Sequence, residues 1–466
     1  MNNAPAVAST GHSAAAGWDR RDHLLLWAVS LTTFAIGIDT TVIGVALPSI
    51  HRELPPSGLA MSAIVVGYTL TFGALMLSAG HVADVFGRKR VFLCGAAAFA
   101  VASLVCGLAW NVPVLVIARL IQGCAAAMLN SAGLALLAQS FAGARQRSAF
   151  RVWGAIMGAS FAIGPLAGGA ATEFVGWRWV FLVNVPVLLL CGSVVFRLVP
   201  SSPERRAGAL DPFGQVLVIG LCASVFGAVA AVGASAPWTV LAAVTAALCL
   251  GILLGRKPAP GQILSRSYFS DVATVVITAV PVLFSLCFWC LLIIVPDRLG
   301  TGSAMTPMHS ALMVLPLTIG LVLAALVPNL FGTSNFRFSF VAGFSGIGVG
   351  AAVAALFPGT AGLIIGMLIM GSAAGFMNPE VARSAITLAG PERAGMAGGL
   401  TSTMRQIGFG VGVLALGRLG TDDPAAGRAL APVFVTAGII ASLSAVGVLL
   451  LLRNSGTPPR PAPCVE

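Results

Sequence analysis

The chain has 466 residues, of which 58% are apolar and only 9% are charged, and its formal net charge is +11. A soluble domain of this length does not keep such a balance, so the composition excludes the soluble class and indicates an all-α polytopic membrane protein. Eight of the nine cysteines lie inside apolar runs without paired spacing, which argues against a disulfide framework and a zinc site.

Apolar runs of about 20 residues, the length that crosses a bilayer, recur along the whole chain. The first six form a predicted bundle: Leu24–Ile50, Leu59–Ala79, Val91–Ala109, Pro113–Phe141, Ala149–Thr172 and Trp179–Val199. A basic linker, 200–211, precedes two more runs, Phe213–Val232 and Trp238–Gly255. The last six form a second predicted bundle: Val272–Pro296, His309–Phe331, Phe338–Leu356, Ala361–Leu388, Met396–Leu419 and Arg428–Leu452. The sequence therefore predicts fourteen transmembrane helices.

This order divides the chain into five predicted segments. They are a cytoplasmic tail (1–22), a first six-helix bundle (23–199), a linker with two additional helices (200–270), a second six-helix bundle (271–453) and a second cytoplasmic tail (454–466). No secretory signal precedes the first run, so we expect that helix to stay attached. With the N-terminus inside, 19 Lys and Arg residues fall at inner helix ends and 5 at outer ends. The positive-inside rule then predicts a plasma (inner) membrane protein with both termini cytoplasmic.

Two charged residues lie deep inside helices of the first bundle. Asp39 stands nine residues before Pro48, and Arg119 stands six residues after Pro113. At 1.5 Å per residue these distances are about 13 and 9 Å below the same surface, so an ion pair is feasible. A charge at such depth costs about 2.5–3.5 kcal/mol, and it marks a proton or substrate path unless the pair is only structural. We interpret Asp39 and Arg119 as the proton-coupling pair, with a static structural pair as the alternative.

The second bundle has a similar arrangement. Glu380 stands eight residues before Leu388, and Arg405 stands nine residues after Met396, at comparable depths of about 12 and 14 Å. The sequence predicts a second charge pair, Glu380 with Arg405, although Arg383 is a competing partner one turn from Glu380.

Polar, aromatic and sulfur-containing side chains in several helices are candidates for a substrate surface. Such side chains fit a small amphipathic ligand, although in helices they more often pack in the core or face lipid. The candidates are Thr40, Asn130, Phe284, Phe288, Trp289, Met377 and Asn378.

A basic stretch, GHVADVFGRKR over 80–90, separates the second and third runs. We expect a hairpin loop that starts at Gly80, in which Gly87 takes a left-handed conformation and Asp84 stabilises a nearby helix N-terminus. Its three cations fix the loop on the cytoplasmic side: Arg88, Lys89 and Arg90. We interpret it as a gating loop, and the alternative is a positive-inside anchor. A weak echo of it stands at 328–337 in the second bundle.

The fifth run contains a cluster of small residues around a proline. Gly164, Gly168 and Gly169 let a neighbouring helix approach closely, and Pro165 removes a backbone hydrogen bond and bends the helix. Ordinary small-residue helix packing is the alternative.

These motifs together resemble a known family. The stretch 80–90 resembles the first cytoplasmic loop of the major facilitator superfamily, G-x-L-A-D-R-x-G-R-K-x, with Val82 and Val85 as departures. The stretch 160–169 resembles the antiporter signature G-x-x-x-G-P-x-x-G-G, with Ser160 in place of the first glycine. The runs DTTVIGVALP (39–48) and WRWVFLVNVP (177–186) are similar to runs of the fourteen-helix drug:proton antiporter branch. So are the runs RLIQG (119–123) and 395–408.

The resemblance implies the major facilitator fold, with two six-helix bundles and two central extra helices. It implies a proton-coupled exporter of a small amphipathic drug or antibiotic that confers resistance. The expected partners are that compound, protons and the lipid bilayer, and we expect a monomer that binds no nucleic acid. The chain has no P-loop and no metal-ligand spacing, so we expect neither an enzyme nor a cofactor, and the proton gradient as the energy source. The alternatives are an uptake permease, or a membrane sensor or lipid-handling protein.

Overall fold

A computed structural model describes residues 18–55, 60–200, 211–231, 236–256, 266–302, 305–326, 336–357, 359–390, 394–419 and 426–452. These residues are almost entirely helical, and no strand occurs among them. Most of the predicted N-terminal tail, most of the basic linker 200–211, residues 328–335 of the echo and the C-terminal tail lie outside the described residues.

The helices follow the predicted order. The first bundle comprises α1 (Arg20–Glu53), α2 (Ala60–Phe86), α3 (Arg88–Gly107), α4 (Val112–Ser140), α5 (Gly143–Phe174), α6 (Trp179–Leu182) and α7 (Asn184–Leu198). An extra hairpin follows, α8 (Pro212–Ala231) and α9 (Ala236–Gly255). After a 3₁₀ turn, Arg266–Phe269, the second bundle comprises α10 (Val272–Phe284), α11 (Leu291–Gly302), α12 (Pro307–Leu326), α13 (Phe336–Leu356), α14 (Thr360–Ala389), α15 (Ala394–Leu416) and α16 (Ala426–Leu451).

These helices make fourteen crossings, because α6 continues into α7 and α10 continues through a π-helical turn into α11. In the described part of the chain, thirteen stretches are long and apolar enough to span a membrane. The crossing that falls short is α15, which carries the polar run 401–406, including Arg405 and Gln406. The prediction of fourteen helices is confirmed, and α15 is the one helix whose residues are not suited to lipid on their own.

The basic stretch differs from its prediction. Residues 80–86 continue α2 and residues 88–90 begin α3, so only Gly87 interrupts the helices. The predicted hairpin loop over 80–90 is therefore wrong, because these helices extend with polar residues beyond their apolar runs. Gly87 has φ of 91°, the left-handed conformation expected of it.

Two predicted continuous helices are interrupted. The helix of the sixth crossing is interrupted at Val183. In a continuous helix the Leu182 carbonyl would accept a hydrogen bond from the N–H of residue 186, but Pro186 has no N–H. The ninth crossing contains a π-helical turn, Ser285–Trp289, in which the Cys290 N–H donates to the Ser285 carbonyl at 3.2 Å. Such wide turns are rare in proteins, and those that occur frequently lie at functional sites.

The two bundles contact each other along α2 and α15 and also at one end of the molecule, which we call the Pro48 end. There α1 packs on α11, and α5 packs on α12. The Glu173 carboxylate of α5 accepts a hydrogen bond from the Met308 N–H, in the first turn of α12, at 2.9 Å. A carboxylate at a helix N-terminus is favourable, so this contact joins the two bundles at the Pro48 end.

The opposite end, which we call the Gly87 end, is open between the bundles along α5. Gly169 packs against α12, and Gly158 lies on the same helix face about three turns away toward the Gly87 end. A Cβ at Gly169 would lie 2.8 Å from Ala311 Cβ, whereas a Cβ at Gly158 would meet nothing within 4 Å. Along α5, the two bundles are therefore packed together at the Pro48 end and separated toward the Gly87 end.

The extra hairpin covers the junction between the bundles. Helix α8 packs on α2 of the first bundle and on α15 of the second, whereas α9 contacts α8 and is otherwise exposed. The Gln215 side chain donates to the Ala74 carbonyl of α2 at 2.8 Å. Arg418, just after α15, donates to the Val229 carbonyl at 3.1 Å near the end of α8. The hairpin thus holds both bundles by polar contacts at its two ends.

We expect Gly169→Leu to open the Pro48 end. The larger side chain cannot fit against Ala311, so α5 must move away from α12. In a chain whose native cysteines are replaced, Ser310→Cys is a buried reporter on α12, and its maleimide labelling should speed up about tenfold in the Gly169→Leu background. Gly158→Leu is the matched control on the same helix face and should leave the rate unchanged. Equal labelling in all three chains would contradict the packing of α5 on α12.

Candidate transport site

Asp39 of α1 and Arg119 of α4 form an ion pair in the middle of the first bundle. Arg119 Nη1 contacts Asp39 Oδ2, and the two side chains are 1% and 0% exposed. Arg119 Nε also donates to the Ile64 carbonyl of α2 at 3.2 Å. The pair therefore ties together three helices in a region that is buried from the surface. The structure brings the two predicted residues together, and their role in proton coupling stays a prediction.

Amides and a hydroxyl complete the network around the pair. Gln122 Nε2 donates to Asp39 Oδ1 at 3.3 Å and to Ser103 Oγ at 2.8 Å, while Gln122 Oε1 accepts from Arg119 Nη1 at 2.9 Å. Asn184 Nδ2 of α7 donates to the same Asp39 Oδ1 at 3.2 Å. Every group that contacts the carboxylate is thus a donor, as an ionised carboxylate requires.

Aromatic rings enclose the cation. The Arg119 guanidinium lies 4.2 Å from the centre of the Tyr68 ring and 5.8 Å from that of Phe181. Sequence reasoning did not assign a role to either ring, nor to Gln122 or Asn184, although both amides stand inside the motifs that carried the family resemblance. Their motif positions, RLIQG and WRWVFLVNVP, were the signal that could have found them.

A central pocket lies between the two bundles beside this pair. Side chains of both bundles line it, and most of the lining surface is apolar. Of the predicted substrate candidates, Thr40, Asn130 and Trp289 line it, and so does Arg405. The other lining residues are Thr33, Ile36, Gly37, Thr41, Phe72, Met157, Phe161, Leu292, Ser402, Gln406 and Phe409. Because Thr40 follows Asp39 directly, the pocket wall and the ion pair share one turn of α1.

The remaining predicted candidates do not line the pocket. Phe284 and Phe288 are fully buried and stack on each other, with ring centroids 5.5 Å apart, behind Trp289. Met377 packs in the core against Gly343, and Asn378 is not among the lining residues. The structure does not bring these four residues to the pocket, because Phe284, Phe288 and Met377 pack in the hydrophobic core and Asn378 is not in the lining.

The π-helical turn holds Trp289 in contact with the first bundle. Its ring lies 4.7 Å from that of Phe161 of α5, measured between centroids, and it contacts the Phe288 ring edge to face at 5.3 Å. The site therefore has an aromatic contact that crosses the space between the bundles. Sequence reasoning proposed Trp289 and missed Phe161, Phe72 and Phe409.

The predicted pair of Glu380 with Arg405 does not form. Glu380 Oε1 instead accepts from Arg383 Nη1 at 3.1 Å, three residues along the same helix. The competing partner prevails because it is a neighbour on α14, whereas α15 places Arg405 at the pocket. Arg405 has no ion-pair or hydrogen-bond partner among the described residues, and its Nε atom is buried.

The basic stretch ties four helices of the first bundle together. Arg88 donates from Nε and Nη2 to Asp84 Oδ1, at 3.0 and 2.9 Å, and from Nη1 to the Ala135 carbonyl of α4 at 3.2 Å. Lys89 donates to the Phe196 carbonyl of α7 at 2.8 Å. Asp84 was expected to stabilise a helix N-terminus and instead pairs with Arg88. The assignment of the basic stretch as a gating loop stays a prediction. Arg90 is exposed at its end, and the space beside Gly80 is open.

The small-residue motif of α5 contacts two partners. A Cβ at Gly164 or Gly168 would overlap Thr41 or Val42 of α1, within three residues of Asp39. On the next face, Gly169 contacts α12 of the second bundle, and Pro165 lies inside the helix between these contacts. The motif therefore links the second bundle to the turn of α1 that carries the ion pair.

Fourteen membrane crossings in two bundles, a central pocket between them and a buried ion pair in its wall define a polytopic membrane transporter. The alternation of a closed and an open end is the geometry by which such carriers expose a midplane site to one side at a time. The chain belongs to the Major Facilitator Superfamily, whose family model matches residues 29–413.

Similar proteins carry names that refer to resistance and efflux. The puromycin resistance protein of Streptomyces alboniger is 32% identical over 94% of this chain and 91% of its own length. A drug efflux pump of Mycobacterium tuberculosis is 30% identical over 86% of this chain and 80% of its own length. The methylenomycin A resistance protein of Streptomyces coelicolor is 29% identical over 84% of this chain and 85% of its own length.

We expect a non-additive stability cycle for the buried pair. Asp39→Asn or Arg119→Gln alone leaves a buried charge without its partner and should lower the unfolding free energy by about 3–5 kcal/mol, while the double variant recovers part of that loss. Thermal unfolding of the purified protein in detergent measures the cycle.

Arg145→Gln is the control for that cycle, because its ion pair with Asp22 is 37% exposed on the arginine side and 25% on the aspartate side. It should cost less than about 1 kcal/mol. Wild-type stability of Arg119→Gln would contradict a structural contribution from the buried pair.

Proposed function

We propose that the protein is a proton-coupled secondary transporter that exports a small amphipathic drug or antibiotic and so confers resistance. The observation that carries this proposal is the position of Asp39, a titratable group in a dry network one residue from the pocket residue Thr40. The proposed partners are the exported compound, protons and the surrounding bilayer. The proposed energy source is the proton gradient, with no cofactor and no enzymatic step.

The proposed cycle starts from the open Gly87 end, which the positive-inside rule assigns to the cytoplasm. A compound enters the pocket there, and the bundles then close at that end and separate at the Pro48 end. A proton that reaches Asp39 from outside removes the negative charge opposite Arg119. The network then lacks one of its two charges, which favours movement of α1 relative to α4.

The motif of α5 supports coupling between this event and the pocket. Because Gly164 and Gly168 leave no space between α5 and α1, a shift of α1 displaces α5 as well. Gly169 and Glu173 of α5 hold α12 at the Pro48 end, so that displacement acts on the closed end. Binding of a proton and opening of that end are thereby linked through one helix.

Two observations favour export over an uptake permease. The motif of α5 resembles a signature that marks exporters in the superfamily, and the three relatives described above carry names that refer to resistance or efflux. We further propose a plasma-membrane location, both termini in the cytoplasm and a monomeric protein. A sensor or lipid-handling protein on the same scaffold has no specific observation in its favour.

We expect Asp39→Asn to abolish gradient-driven efflux while substrate binding persists, because the amide keeps the size of the side chain and cannot carry the proton. Asp39→Glu keeps a carboxylate and should retain partial transport with a shifted pH dependence. Proteoliposomes with an imposed pH gradient measure uptake of a fluorescent drug by inverted protein. Full transport by Asp39→Asn would overturn this role of Asp39, and efflux that persists after an ionophore collapses the gradient would overturn proton coupling.

A separate experiment tests the orientation. Single cysteines at the exposed positions His51 and Arg90 lie at the Pro48 end and the Gly87 end, respectively. In intact cells, an impermeant maleimide should label His51→Cys, and should label Arg90→Cys only after permeabilisation. The reverse pattern would place the Gly87 end outside.

A further inference from the structure

The central pocket carries one uncompensated charge. Among the fifteen residues that line it, Arg405 is the only charged one. The two carboxylates predicted for charge pairs in these bundles are engaged elsewhere, since Asp39 pairs with Arg119 and Glu380 pairs with Arg383. Arg405 itself has no partner among the described residues. The lining of the pocket therefore carries a net positive charge.

A cation inside the membrane region is unfavourable unless it pairs, coordinates backbone carbonyls or reaches water. Arg405 is partly exposed, and the bundles are separated along α5 toward the Gly87 end, so we expect water to reach the guanidinium in this state. When the bundles close around a compound, that water is excluded, and the guanidinium then needs an acceptor within the pocket. The compound itself is the remaining source of that acceptor.

A second donor lies in the same pocket. The indole Nε1 of Trp289 is buried and has no hydrogen-bond partner among the described residues. An indole N–H is a donor only, and a guanidinium likewise offers donors and no acceptor. Two unsatisfied donors in one pocket indicate that the missing group is an acceptor, and the charge of Arg405 favours an anionic one.

The rest of the lining suits an aromatic body. Phe72, Phe161 and Phe409 contribute aromatic surface, and Ile36, Met157 and Leu292 add aliphatic surface. The hydroxyl and amide groups of the lining carry no charge, so no lining group would repel an anion.

We propose that Arg405, assisted by Trp289, recognises an anionic oxygen of the transported compound, and that the substrates include aromatic carboxylates. This inference rests on the proposed function and specifies its substrate class. It separates two roles of buried arginines: Arg119 is neutralised by the protein, and Arg405 is neutralised by the substrate.

A matched pair of probes tests the proposal. The compounds 2-naphthoate and 2-naphthamide share the same ring and nearly the same size, and only the first is charged at neutral pH. Equilibrium dialysis against the full chain in phosphatidylcholine nanodiscs should give about tenfold or tighter binding of the acid, as expected for a hydrogen-bonded charge pair. Arg405→Gln should remove that preference, and Arg405→Lys should retain part of it.

Two further variants make the assignment specific. Arg383→Gln is the control, because this arginine pairs with Glu380 and does not line the pocket, and it should keep the preference for the acid. Trp289→Phe keeps a ring and removes the N–H donor, so binding of both probes should weaken by less than tenfold. Equal binding of the two probes by the wild type, no binding of 2-naphthoate, or a preference that survives Arg405→Gln would overturn the proposal.

An anionic lipid headgroup offers similar chemistry, and a second arm separates it from a free acid. The dialysis is repeated in nanodiscs that contain phosphatidylglycerol. If naphthoate binding is unchanged, the site binds the free acid. If the Arg405-dependent part of naphthoate binding is lost completely, the site belongs to the lipid and the proposal is overturned.

Transport measurements distinguish this proposal from the proposed function. If the wild type exports only neutral or cationic drugs, and Arg405→Gln exports them equally well, anion recognition fails while the exporter stands. If naphthoate binding depends on Arg405 but no compound moves with the proton gradient, the exporter fails while the binding site stands.

Discussion

The structure depends on the placement of a single ion pair in a medium that does not solvate charge. Asp39 and Arg119 are stable together because each satisfies the other and because Gln122, Asn184 and the Ile64 carbonyl satisfy the remaining donors and acceptors. The same contacts fix α1, α2, α4 and α7 relative to one another. Any change in the charge of one member therefore changes the packing of the whole bundle, and this property makes a structural element usable as a switch.

Close helix contacts carry such a change to the rest of the molecule. In a bilayer, helices associate by van der Waals packing and hydrogen bonds, so small residues at their contacts decide how closely they approach. Gly164 and Gly168 join α5 to α1 next to the ion pair, and Gly169 joins it to the second bundle. The hairpin of α8 and α9 adds polar contacts to α2 and to the residue after α15, at the junction between the bundles. Each of these contacts thus involves a helix, α1, α2, α5 or α15, that also contributes residues to the pocket lining.

The sequence predicted where the helices lie along the chain, but it did not predict which face of each helix points toward the pocket. Fourteen crossings follow from run lengths, and the Asp39–Arg119 contact follows from matching depths below one surface. Depth does not fix rotation about a helix axis, so the same argument failed for Glu380 and Arg405. Side-chain type does not fix it either, so Phe284 and Met377 were candidates for the pocket although they face the core. The π-helical turn that orients Trp289 depends on tertiary packing and has no local signature in the sequence.

The polarity of α15 has a consequence for how the protein is made. A helix with Arg405, Gln406 and three hydroxyl side chains over 401–403 partitions poorly into lipid as an isolated segment. Its partners α2, α8 and α10 all precede it in the chain, so they are already synthesised when α15 leaves the ribosome. We therefore expect insertion of α15 to depend on chain order, because the helices that shield its polar residues from lipid precede it and can assemble first.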